Sequence, residues 1–92
     1  MDKILVHNLN ENGNDRTPSG FDSWKDFWEQ HTKRCFSTCS CCEINKAEVG
    51  AHVTKCNSYD HNWYIVPLCK GCNNKRGQNI LVRKNDLVPV NQ

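Results

Sequence analysis

The sequence predicts a small α+β domain that an ordinary hydrophobic core does not hold together unaided, and three observations predict it. Hydrophobic residues make up 37% of the 92-residue chain and 7 of them are cysteines, so ordinary apolar side chains are scarce. Two Cys-x2-Cys pairs, Cys39-Ser40-Cys41-Cys42 and Cys69-Lys70-Gly71-Cys72, occur with 26 residues between them. One aromatic stripe at helical spacing precedes several short β-prone runs. A chain this short buries a small share of its surface, and ordering costs about 1.5 kcal/mol per residue, so a lean core needs a covalent or metal staple.

Residues 1–20 form an N-terminal unit of one strand and a flexible loop. Ile4 to His7 reads as a short edge strand, while Asn10, Asn12, Gly13, Asn14, Pro18 and Gly20 argue for loop. Residues 21–92 read as a single domain. Its first element is a helix over 21–34: Ser23 and Asp26 have capping-box spacing, and Trp24, Phe27, Trp28 and His31 recur at i, i+3, i+4 and i+7. Such a stripe packs on a core, or, if it stays uncovered, docks a protein partner through Trp24 and Trp28.

The cysteine pairs carry the chemistry. Zn2+ takes four soft ligands at tetrahedral corners about 2.3 Å away, and a Cys-x2-Cys turn offers two thiolates to one side of the ion. Two such knuckles close the sphere, so Cys39, Cys42, Cys69 and Cys72 are the expected ligands of a structural Zn2+. Gly71 fits a tight turn that needs positive φ. Of the remaining cysteines, Cys35 is expected to pack, Cys41 to point away from the ion, and Cys56 to be a bystander.

Between the knuckles, Glu48 to Val53 and Trp63 to Val66 read as a hairpin joined by a polar loop with Asn57, Ser58, Asp60 and Asn62. Cys69 to Arg76 reads as a second knuckle entering a short helix that Gly77 closes. Knuckle, hairpin, then knuckle at a helix start is the treble-clef order. Ile80 to Val82 and Leu87 to Val90 are β-prone runs that can return to the N-terminal strand.

Several classes are excluded. No apolar run reaches 18 residues, so no transmembrane helix and no membrane role is expected. No basic start leads into a long apolar stretch, which argues against a signal peptide and for a cytoplasmic chain, where clustered cysteines are metal ligands more often than disulfides. A thiol oxidoreductase would need a βαβ context for its Cys-x2-Cys, and none is legible. The formal charge is only +2. Its basic excess lies in residues 43–92, where Lys70, Lys75, Arg76, Arg83 and Lys84 are candidate contacts to the phosphates of DNA or RNA.

The string from Cys39 to Arg76, with Gly50-Ala51-His52-Val53 and Tyr64-Ile65-Val66-Pro67-Leu68-Cys69-Lys70-Gly71-Cys72-Asn73-Asn74-Lys75, resembles the zinc-stabilised HNH endonuclease motif. The resemblance covers under half the chain. It implies a treble-clef zinc scaffold with His52 in the place of the general base. The family's neighbouring metal ligand, its hairpin asparagine and its final histidine fall on Ala51, Tyr64 and Asn73, so one catalytic position of four is kept. A hydrolytic metal needs two or three protein ligands, and Asp60 and His61 are the nearby substitutes. The resemblance therefore implies a zinc-binding, HNH-like module that binds nucleic acid or a protein partner without catalysis. The alternative is a metal-dependent endonuclease with His52 as base. His52 also fits a packed strand residue, a hydrogen-bond donor to a ligand sulfur, or a replacement ligand.

Overall fold

The computed structural model describes residues 2–9, 20–21, 23–56, 59–60, 62–74 and 78–90. Residues 10–19, which contain most of the expected loop, lie outside that set, as do Asn57, Ser58, His61, Lys75, Arg76 and Gly77. The strands are β1 (Lys3–Asn8), β2 (Val49–Lys55), β3 (Trp63–Leu68), β4 (Asn79–Arg83) and β5 (Val88–Pro89), with helices α1 (Trp24–Thr32) and α2 (Lys70–Asn73) and a 3-10 turn at Lys84–Asp86. They give a small α+β architecture around one five-stranded antiparallel sheet of order β4-β1-β2-β3-β5.

β1 is not an edge strand. Ile4 pairs with Val82 and Leu5 with Leu81 on one side, and Val6 with Lys55 on the other. The Ile80–Val82 run returns to β1 as anticipated and takes the outer position. The second C-terminal run goes elsewhere: Val88 and Pro89 pair with Ile65 and Tyr64 of β3. Pro89 has no N–H to donate, which suits the outermost strand.

Side chains alternate across a strand, so the sheet has two chemically distinct faces. On one, Val6, Ala51, Val53, Tyr64, Val66, Leu68, Ile80 and Val82 pack with Cys39, Cys69 and Cys72. On the other, Ile65 and Val88 pack with Phe27, Trp28, Phe36 and Ala47. The thin core anticipated from composition is thus split in two, with α1 covering one side of the sheet and the cysteine knuckles the other.

α1 is shorter than the 21–34 span the stripe suggests. It begins where the Ser23 side chain accepts the Asp26 N–H, as the capping spacing predicts, and ends at Lys33 in the left-handed region at φ 59. Phe27 and Trp28 are buried and Trp24 is half-buried, whereas His31 is exposed. Gly50 lets the helix start sit tightly on β2: a Cβ there would lie 2.8 Å from the Trp24 Cβ. The far end is fastened by Trp28 Nε1, which donates to the Asp86 carbonyl oxygen at 2.7 Å.

Candidate metal centre

The first knuckle lies in the connection between α1 and β2. An antiparallel bridge between Thr38 and Lys46 closes a tight loop, within which the Cys39 N–H donates to Asn45 O and the Glu43 N–H to Cys39 O. Glu43, directly after the second cysteine, is the residue that takes the left-handed conformation (φ 59). Gly71 does not: among the described glycines only Gly20 has positive φ, and Gly71 lies in the single turn of α2, 3.9 Å from the Cys69 sulfur at its virtual Cβ. The expectation placed the strained turn in the wrong knuckle. The first pair is a loop that must reverse, while the second is a strand running directly into a helix.

In the second knuckle, Cys69 directly follows β3 and caps α2, its Sγ accepting the Cys72 N–H at 3.5 Å. Glu48 Oε1 accepts the Lys70 N–H at 3.1 Å, and Asn8 Nδ2 donates to Asn73 O at 3.1 Å, so both ends of the turn are tied to the sheet. The helix ends at Asn73 with Asn74 as its cap, and Gly77, the stop that the sequence suggests, lies outside the described residues. The buried Ser40 ties the first knuckle down in turn: its N–H donates to Pro67 O at 2.8 Å, and its Oγ accepts the Arg83 N–H at 2.9 Å.

These elements bring the four sulfurs of Cys39, Cys42, Cys69 and Cys72 within 4.8 Å of one another, and Cys42 and Cys69 are 4.0 Å apart. Four sulfurs at tetrahedral corners 2.3 Å from one ion would be separated by about 3.8 Å. The set is therefore close enough to hold one metal ion: the Cys42–Cys69 pair is already near that spacing, and the widest pair would have to close by about 1 Å.

The surroundings prepare two of the thiols to bind as anions. Backbone N–H groups of Asn45 and Ile44 aimed at Cys42 bring its thiol down to about 6, and the Asn45 N–H lies 3.4 Å from that sulfur. Cys69 is lowered by the Cys72 N–H, with further help from the side chains of Cys72 and Asn45. Burial instead raises Cys39 and Cys72. A cation is what would make all four thiolates compatible in this space, at the expense of the protons on the buried pair.

Asn45 was not legible as a site residue. Its backbone N–H serves Cys42 and its Nδ2 lies 3.8 Å from the Cys69 sulfur, so one residue links both knuckles. Its position three residues after Cys42 was the available signal. Asn8 and Ser40 gave no local signal, since their roles depend on contacts with distant parts of the chain.

Two of the other three cysteines, Cys41 and Cys35, depart from expectation. Cys41 is outside the four-sulfur set, but it packs with the cysteine-side core and its thiol lies against Cys72, so it does not point away. Cys35 is exposed, because the helix has already ended and the chain has turned. Cys56 is half-buried at the end of β2.

His52 lies on the opposite side of the sheet. Ala51 and Val53 face the cysteines, so alternation sends His52 toward α1, where it is 6% exposed and its ring meets Trp24 at 4.7 Å and Trp63 at 5.7 Å. A ring on that face reaches none of the sulfurs, which removes the replacement-ligand and sulfur-bonding alternatives. Tyr64 donates its hydroxyl to Asp60, with Lys55 3.4 Å from the same carboxylate and 4.9 Å above the ring. Asp60 is thus engaged in a hairpin clasp on the cysteine side.

Of the basic candidates, Lys70 and Lys84 are exposed. Arg83 Nε donates to Asp86 Oδ2 at 2.8 Å and lies 3.9 Å from Glu43. Trp28 is 2% exposed, and Arg34 stacks over its ring at 5.0 Å while bonding Asp86 Oδ1 at 2.9 Å. No helix among the described residues is long and apolar enough to cross a membrane. No protein-family model, curated protein or solved structure matches the chain, so the four-cysteine cluster is the feature that speaks to its function.

Proposed function

We propose that this chain is a zinc-binding module of HNH-like, treble-clef build, in which Cys39, Cys42, Cys69 and Cys72 hold a structural Zn2+ and the surface serves binding rather than catalysis. The observation that carries the reading is the convergence of four sulfurs within 4.8 Å from two knuckles in separate elements. An all-thiolate tetrahedral set favours zinc over the harder divalent ions, and four protein ligands leave no open position for a substrate. Knuckle, β2–β3 hairpin and knuckle at the start of α2 follow the treble-clef order. The burial of His52 beneath two tryptophans, with Ala51, Tyr64 and Asn73 at the other family positions, supports a non-catalytic module. Exposed Lys70 and Lys84, with Lys75 and Arg76 between them in sequence, are the side chains through which it would contact nucleic-acid phosphates.

Metal content of the purified chain tests the zinc reading. One zinc per chain, lost together with folding in Cys69→Ser, is expected; a folded, metal-free chain would overturn it. Fluorescence anisotropy with a labelled oligonucleotide at two salt concentrations tests the partner. Binding that weakens with salt supports phosphate contact, and no binding at either salt removes it.

A further inference from the structure

We propose that Cys41 is an oxidation site, at which a hydroperoxide converts the zinc-loaded centre into one joined by a Cys41–Cys72 disulfide and the metal is released. The release rests on the zinc reading above. Five of the seven cysteines gather on one side of the sheet, one more than a tetrahedral ion takes. Cys41 and Cys42 pack against the core that Cys39, Cys69 and Cys72 share. With Cys39, Cys42, Cys69 and Cys72 as ligands, Cys41 is the unbound thiol of the group. It is also within reach of solvent, being half-buried where Cys72 is 7% exposed and Cys39 fully buried. Oxidation follows access, and a sulfur that shares its electrons with a cation is a weaker nucleophile than a free one, so a peroxide meets Cys41 first.

Cys41 has a partner at hand. Its thiol lies against Cys72, which belongs to the other knuckle. Both segments are anchored. Ser40, the residue before Cys41, gives its N–H to Pro67 O and receives the Arg83 N–H on its Oγ. The turn that contains Cys72 is held to the sheet through Glu48 Oε1 on the Lys70 N–H and Asn8 Nδ2 on Asn73 O. The two sulfurs therefore stay beside each other without a large excursion of the chain.

The chemistry balances in two steps. The Cys41 sulfur attacks the peroxide, the O–O bond breaks, and Cys41 becomes a sulfenic acid while the peroxide leaves as an alcohol, or as water from hydrogen peroxide. The Cys72 sulfur then gives up its bond to the metal and attacks Cys41. The S–S bond forms, the S–O bond breaks, and the hydroxyl leaves as water with one proton from solvent. The sulfur pair has lost two electrons, which the peroxide has taken up. Three ligand thiolates remain, too few to close a tetrahedral sphere. The disulfide joins the same two knuckles that the metal joined, so a covalent staple takes the place of the coordinate one.

The test treats the zinc-loaded full chain, kept dilute to suppress links between chains, with hydrogen peroxide while a chromophoric chelator reads the zinc set free. Remaining thiols are then alkylated and the peptides mapped by mass spectrometry. The expected result is loss of the zinc in step with a peptide pair joined through Cys41 and Cys72, and recovery of both thiols and zinc binding after a phosphine reductant. Cys41→Ser, at a position outside the ligand set, should keep one zinc per chain and release it several-fold more slowly. A disulfide formed predominantly elsewhere would overturn the proposal, as would Cys41 recovered in alkylated form after the zinc has left, or a Cys41→Ser chain that releases zinc at the wild-type rate. The wild-type peptide map decides the matter even if the variant misfolds. A chain that never loads zinc overturns this proposal and the zinc reading together, whereas a loaded chain joined at another pair overturns this one alone.

Discussion

At the scale of single residues, the site is shaped by groups that bind no metal themselves. Asn45 Nδ2 supports the Cys69 sulfur while its backbone serves Cys42. Partners of this kind orient ligands and stabilise their charge, and losing one weakens metal binding by about 10–100-fold. Asn45→Ala keeps the backbone bond and loses only the side-chain one, so a drop near the lower end of that range is expected, measured by competition with a chromophoric chelator. Zinc affinity should also fall with acid. A thiol held at about 6 against an ordinary value of 9.0 favours the folded thiolate from above the ordinary value down to about 6, and that advantage is lost as pH falls through about 6. The burial of Cys39 and Cys72 acts in the opposite direction in the metal-free chain, which is why zinc binding there must release protons. Titration with zinc in a weakly buffered indicator solution should register that release.

At the scale of elements, the two glycines flanking the site exchange the importance that local sequence assigns them. Gly50 is where α1 rests on β2, and a Cβ at 2.8 Å from the Trp24 Cβ has no flexible neighbour to displace. Gly50→Ala should destabilise the zinc-loaded chain by about 1–3 kcal/mol in urea denaturation, as overpacking does elsewhere. Gly71→Ala should change stability by less than about 1 kcal/mol and leave zinc stoichiometry intact, because the position has helical φ and only an ordinary contact. Much of the element order was legible: the Ser23 cap, the two strands of the hairpin and the helix start at Cys69 follow from local patterns. The interior position of β1 and the pairing of β5 with β3 were not, since a β-prone run carries no label for which partner it will meet.

At the scale of the whole molecule, the two sides of the sheet are joined by a polar cluster as well as by the strands. Asp86, 1% exposed, accepts from Arg34 at the end of α1 and from Arg83 at the end of β4, while its carbonyl takes the Trp28 indole. Arg83 also leans toward Glu43 in the first knuckle, whose other partner is Lys3 of β1. Asp86→Ala leaves two guanidinium groups without their buried carboxylate. Because both reach solvent, the expected loss is about 2 kcal/mol rather than the 3–5 of a fully buried pair, read as a lowered urea midpoint with the zinc content unchanged. Removing the metal should have a larger effect. Structural zinc contributes about 10–16 kcal/mol of binding free energy in small peptides, so a strong chelator is expected to abolish the tryptophan environment of the α1 side as well as the cysteine side. Loss of the near-ultraviolet circular dichroism of Trp24 and Trp28 would report that coupling; its retention would mean that the α1 side holds by itself.

The sequence by itself determined the cysteine cluster: which four cysteines converge, that they come as two Cys-x2-Cys pairs around a hairpin, and that an aromatic helix covers the other side. Those features are local, because ligand spacing, capping and side-chain periodicity act within a few residues. Only the tertiary structure decided which side of the sheet each residue faces. It placed His52 beneath Trp24 and Trp63 instead of beside the sulfurs, moved β1 into the interior, and recruited Asn8, Ser40, Asn45 and Asp86 from scattered positions. The physical reason is common to all of these. Alternation along a strand says that neighbours point in opposite directions, but which direction meets the cysteine sulfurs depends on pairings and packing between residues far apart in the chain.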